Sequence, residues 1–475
     1  MKNSKVFKLL KTFSHQERQR FADFLKSIYF NYNDDIIRCF AAILPSLQKT
    51  KPIEQTELDL WKKIFPSKKY DKAKFHRVCS DLLKEAERFL AYHKFSQNKT
   101  LQNVYVLQSM NEKRAMAQLP HLLKQSKTEH LKQTLHDSEF YYQQYLIEAE
   151  QNNYQEKLNS RKDDKNLKSV MNYLDKYYLI MKLQCCCAIL HYKNITNIDA
   201  DLVLMDEILL HLKNTSYKEI PVINIFYHIL LTQLEKENEQ HFQQLKKLLL
   251  ENSKSFEKPL AREMYAHAIQ YCIKKINSGS LNYYRELFHI YKETLAKKLI
   301  QVNNELSPYE YKNIITTGLR LGEFNWIEKF IVEYKNQLPI EHQENAFTFS
   351  MARVYFFKKE YDKVLELLQQ VEYDDVFYLL DAKVALIKTF YELEEIDSLV
   401  ALLDSFKMLL RRKKDIAENL RIHYNNFVVY VKKLVSTSDR KKIIQLKAEL
   451  ATSINVTELS WLRDKVEESL NNNKR

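Results

Sequence analysis

Apolar residues recur at i, i+3, i+4 and i+7 along almost the whole chain, the spacing that gathers them on one face of an α-helix. No alternation of apolar and polar positions persists long enough to line one face of a strand. Start signals agree: Ser14 with Glu17 reads as a capping box, and Thr56 with Asp59 as its aspartate variant. Of the eight prolines, Pro45, Pro52, Pro66, Pro120, Pro221, Pro259, Pro308 and Pro339, most fall between periodic runs, where helices begin or end. The pattern predicts an all-α protein in three parts. A basic helical domain covers 1–100 and helical hairpins of unassigned register cover 101–215. Further hairpins cover 216–475, with one long helix at 413–434 and a closing cap of helices at 439–452 and 456–470.

From Pro308 onward a unit repeats. Tyr311, Ile314 and Ile315 lead through Gly322 and Phe324 to Ile327, Phe330, Ile331, Tyr334 and Pro339. Met351, Ala352 and Tyr355 lead through Tyr361 to Val364, Leu367, Leu368 and Val371. Leu386, Ile387 and Phe390 precede Ile396, Leu399, Leu402, Leu403 and Phe406. Phe324, Tyr361 and Ile396 follow one another at 37 and 35 residues, each between two helical runs. Over 308–406 this resembles the tetratricopeptide repeat family, and MARVYFFKKEYDKVLELLQQV at 351–371 matches it best. Ala352 stands at the family's small position, Tyr355 at its aromatic, Tyr361 at its aromatic after the turn, Gly322 at a turn glycine and Pro339 at a closing proline. Val364, Ile327 and Leu399 replace the family's contact alanine, and Lys359 and Glu394 its turn glycine. Irregular, wider-spaced repeats are therefore expected. Weaker relatives are Ala268 and Tyr271 with Tyr284, Leu287, Phe288 and Tyr291, and Phe226–Leu234 with Phe242–Leu250.

The resemblance implies an α-solenoid of tetratricopeptide-like hairpins, with its function on the inner face of each unit's first helix. The positions it selects are Lys312 and Arg320, Arg353 and Phe356, and Lys388 and Tyr391. Basic residues among aromatics suit an extended acidic or mixed protein segment. The family's carboxylate clamp is not carried over, because Thr316 and Ser350 stand where asparagine or a basic partner belongs.

Composition narrows the chemistry. Only Gly279, Gly318 and Gly322 are glycine in 475 residues, and GxxxxGK[ST], GxGxxG and GxSxG are all missing. That removes the P-loop, dinucleotide-fold and nucleophile-elbow readings, and leaves few cheap routes to positive φ. Six cysteines, Cys39, Cys79, Cys185, Cys186, Cys187 and Cys272, include no CxxC and read as free thiols in a reducing cytoplasm. The basic start MKNSKVFKLLKTF lacks an apolar core, and no run approaches a membrane span. The fourteen histidines include no HExxH, and His267 with Cys272 is poorly spaced for one helix face, so no metal is expected. Carboxylate pairs at Asp34/Asp35, Glu148/Glu150 and Asp374/Asp375 read as caps or exposed faces. The expectation is a non-enzymatic adaptor without cofactor.

Charge suggests an alternative. The net charge is +13, and residues 1–100 hold 21 Lys and Arg against 11 Asp and Glu, a surplus of ten. Within TELDLWKKIF, PSKKY and DKAKFHRVCSDLLKEAERFL, read as helix, short turn and longer helix, lie Lys62, Lys63, Lys68, Lys69, Lys72, Lys74 and Arg77. A helix opening on Lys72, Lys74 and Arg77 is suited to phosphates, which makes DNA or RNA contact the second expectation. The interleaved Trp61, Phe65, Tyr70 and Phe75 read more as core than as a stacking platform. The run Arg411, Arg412, Lys413 and Lys414 reads as the start of a solvated helix face.

Overall fold

A computed structural model describes residues 4–48, 56–158, 165–193, 201–252, 255–369, 376–413, 416–437, 439–453 and 455–472. Pro52, Val371, Asp374, Asp375 and Lys414 lie outside them. Among the described residues there are 23 α-helices, three short 3-10 turns and no strand, only an isolated bridge between Val302 and Glu305. The fold is all-α. Both sequence-predicted capping boxes form: Ser14 and Glu17 exchange bonds at 2.7 and 3.2 Å, and Thr56 and Asp59 at 3.0 and 3.2 Å. Pro120, Pro221, Pro259 and Pro308 open helices, where a missing N–H costs nothing. Pro45 departs from that rule and sits inside a helix.

The chain forms two compact units, Met1–Ile223 and Asn224–Arg475. In the first, α1 (Lys5–Lys11), α2 (His15–Lys26), α3 (Asp34–Gln48), α4 (Glu57–Ile64) and α5 (Lys72–Gln97) enclose one apolar core. Its centre is Phe21, 4.9 Å from the Phe40 ring and 5.2 Å from that of Phe89. Next come α6 (Lys99–Glu112), α7 (Leu119–Leu131), α8 (Ser138–Lys157), α9 (Lys165–Lys193) and α10 (Met205–Asn214). Glu148 and Glu150 are neither caps nor exposed; both are buried on α8. They are held by Lys127 Nζ at 2.6 Å and Asn111 Nδ2 at 2.8 Å, which tie α7 and α6 to it. Buried carboxylates persist only with such partners.

The boundary between units falls in α11 (Pro221–Leu234). The second unit continues with α12 (Gln240–Glu251), α13 (Lys258–Asn277), α14 (Tyr283–Ala296), α15 (Pro308–Arg320), α16 (Phe324–Tyr334), α17 (Gln343–Phe357) and α18 (Tyr361–Gln369). It ends with α19 (Val376–Glu392), α20 (Ile396–Arg412), α21 (Glu418–Val435), α22 (Arg440–Thr452) and α23 (Leu459–Asn472). Neighbours from α12 to α21 pack in sequence, and α15 also packs on α17 and α17 on α19. The basic run Arg411, Arg412 and Lys413 closes α20 instead of opening the next helix. Cations there meet the negative end of the helix dipole.

Six helix ends among the described residues share one turn. At Arg114, Gly279, Lys298, Gly322, Lys359 and Glu394 φ is positive. The next N–H then bonds the carbonyl five residues back: Glu323 to Gly318 at 3.0 Å, Glu360 to Tyr355 at 2.9 Å, Glu395 to Phe390 at 3.0 Å. This is the cap that satisfies orphan carbonyls at a helix end. Scarce glycine did not prevent it. Lysine, arginine and glutamate take the left-handed position at a cost of about 1–2 kcal/mol each.

Candidate functional site

Three helices of the second unit, α15, α17 and α19, pack side by side. On α15, Lys312, Thr316 and Arg320 follow at four-residue steps and share one face. Arg353 and Phe356 stand on α17, Asp381 and Lys388 on α19. Into the space between them comes the start of α23 with the residue before it, Glu458. Lys388 Nζ, on a side chain left 10% exposed, bonds Glu458 Oε2 at 2.9 Å. It also lies 4.6 Å from the Phe356 ring centre, a cation over an aromatic face. Arg320 reaches Ser460 and, at 3.5 Å, Asp464. Lys312 pairs with Asp381, whose other oxygen accepts from the Tyr424 hydroxyl at 2.9 Å. Arg353 Nη1 donates to Thr316 Oγ1 at 2.9 Å.

Burial would raise the Glu458 carboxyl, but Lys388, Arg353 and Arg320 outweigh it and hold the group at about 2. Burial presses Lys388 and Arg353 below their ordinary values against the pull of Glu458, joined at Arg353 by Asp381; repulsion from Arg320 adds to the lowering at both, and from Arg353 at Lys388. Beside this cluster opens a cleft of about 410 Å³, lined among others by Thr316, Arg320, Arg353, Lys388, Ser460 and Arg463.

The structure thus brings together five of the six residues read from the sequence as an inner face: Lys312, Arg320, Arg353, Phe356 and Lys388. Tyr391 stands apart from the cleft, its ring 5.3 Å from that of Trp461 on α23. Sequence reasoning missed Asp381, Glu458, Ser460, Arg463 and Asp464. Glu458 and Asp464 lie 70 and 144 residues from the cations they meet, and no local pattern announces such a pairing.

The basic segment of the first unit has a different character. Lys62, Lys63, Lys68, Lys69, Lys72 and Arg77 are exposed and make no ion pair among the described residues, while Lys74 lies 3.8 Å from Asp35. Trp61, Phe65 and Phe75 are buried in the core and Tyr70 bonds Glu57 at 2.9 Å, so no aromatic platform faces outward there. The start of α5 already holds an anion, Asp71, which accepts from the Lys74 N–H at 3.0 Å.

Among the described residues, no three His, Cys, Asp or Glu side chains group to hold a metal ion, and no helix is long and apolar enough to cross a membrane. Cys186 and Cys187 are buried on α9 and Cys185 is exposed. Comparison with protein families, with curated proteins and with solved structures finds no match to this chain.

Proposed function

We propose that the protein is a non-enzymatic scaffold of the cytoplasm, an α-solenoid of tetratricopeptide-like hairpins that holds an acidic segment of a partner protein on its inner face. One observation carries this: cations from α15, α17 and α19 converge on a single cleft and already hold carboxylates there, those of Glu458 and Asp464. The shared turn at Gly322, Lys359 and Glu394 and the packing of α15 on α17 and α17 on α19 support the hairpin reading. Six cysteines with no disulfide among the described residues suit a reducing compartment. The test is affinity capture from the native host with the wild type, Arg353→Gln and Lys388→Met, each first checked for helical content. A stoichiometric partner that both substitutions release is the expected result. Capture equally strong with both variants removes the inner face from the account.

A second reading rests on Lys62, Lys63, Lys68, Lys69, Lys72 and Arg77, exposed and without an ion pair among the described residues. In it the basic N-terminal helices contact DNA or RNA through the phosphate backbone, without base stacking.

A further inference from the structure

We propose that the cleft beside Arg353 is a receptor for a dianionic phosphoryl group, with Glu458 as its built-in competitor. The inference rests on the scaffold reading above in that the same inner-face cations form the receptor. Lys312 is matched by Asp381, Lys388 by Glu458 and Arg320 by Asp464. Two further cations line the same cleft with no carboxylate at ion-pair distance among the described residues: Arg353, on which Glu458 and Asp381 act only through space, and the exposed Arg463. Arg353 spends only Nη1, on the Thr316 hydroxyl, and Arg463 spends Nε and Nη2 on the carbonyls of Leu450 and Ala451.

Two surplus positive charges call for a dianion. A single carboxylate leaves one of them unmatched. A guanidinium offers its remaining N–H groups as a planar fork, which suits phosphoryl oxygens. Ser460, whose oxygen accepts from Arg320, keeps its own proton for a ligand oxygen. At about 410 Å³ the cleft has room for the group that carries the phosphoryl as well.

Glu458 is the element that regulates entry. Its backbone is left-handed, φ 55°, a conformation that side chains rarely adopt without a reason in their surroundings. The carboxylate so placed neutralises the buried Lys388 at 2.9 Å. An entering phosphoryl group must work against that charge. Removing the charge therefore strengthens binding, although it removes an ion pair from the fold.

The test is calorimetric titration of the full chain at pH 7.5 with three probes: inorganic phosphate, a five-residue peptide with a central phosphoserine, and its unphosphorylated counterpart. Phosphoryl probes should bind and the unphosphorylated peptide should not. Arg353→Gln should weaken binding about tenfold or more, and Glu458→Gln should tighten it several-fold, a gain that a merely structural Glu458 does not produce. Tighter binding of the phosphopeptide than of phosphate assigns the site to a modified protein segment; equal binding assigns it to a free phosphate ester, still a phosphoryl site. No binding by either probe, or binding indifferent to Arg353→Gln, overturns the proposal. A partner captured through Arg353 and Lys388 in a protein that binds neither probe overturns this inference alone and leaves the scaffold reading standing.

Discussion

Lys359 and Glu394 take φ values of 62° and 58°, where Gly322, in the equivalent turn, takes 75°. A β-carbon makes that conformation costly, so Lys359→Gly and Glu394→Gly should each stabilise the fold, by about 0.5–1 kcal/mol after the entropy of glycine is counted. Urea denaturation reads the gain, and a loss shows that their side chains matter more than their backbone. Gly318 is the reverse case. A β-carbon there would lie 2.4 Å from Ile327 Cδ1 and 2.6 Å from its Cγ1. Gly318→Ala is expected to cost about 1–3 kcal/mol by overpacking α15 on α16, against the better helix propensity of alanine. Glu458 gives a pH signature. Its folded-state pKa of about 2 lies below its ordinary 4.5. Its contribution is therefore present above pH 4.5 and is lost as pH falls toward 2. The stability gap between wild type and Glu458→Gln should shrink across that window; a gap constant with pH argues that Glu458 is not ion-paired.

At the scale of elements, α23 is decisive. Trp461 is 5% exposed, its Nε1 donates to Glu392 Oε1 at 3.0 Å, and its ring lies 6.2 Å from that of Phe427 on α21. Lys465, one turn on, bonds the other oxygen of Glu392 at 2.8 Å. One helix thus closes the apolar core formed by α19, α20, α21 and α22 and also delivers Glu458 and Asp464 to the cleft. Trp461→Ala is expected to cost about 3–5 kcal/mol and to speed amide exchange in α22 and α23 before α15 and α16. Exchange that rises evenly across the unit shows that α23 does not open as a separate element. Those helices themselves were largely legible beforehand. The capping boxes at Ser14 and Thr56 and the prolines opening four helices are local signals, each settled within a turn of chain. The end of α20 was misread, because a basic run suits a helix C-terminus as well as a solvated start.

At the scale of the whole molecule, charge is unevenly placed: ten of the thirteen net positive charges fall in the first hundred residues. If those helices meet nucleic acid, retention on heparin should fall steeply with salt and drop further when Lys62, Lys63, Lys69 and Lys72 become Glu; retention unchanged by the substitutions removes that reading. The apolar period, the caps and the breakers determined by themselves that the fold is all-α and where six of its helices start, since those preferences act between residues three or four apart. The resemblance to tetratricopeptide repeats, and not the period, selected Lys312, Arg320, Arg353, Phe356, Lys388 and Tyr391 as one face. Only the tertiary structure decided that these cations face Glu458 and Asp464, and that Tyr391 is spent on Trp461. Ion pairs closed across 70 and 144 residues depend on how helices pack, and packing leaves no mark in the local pattern.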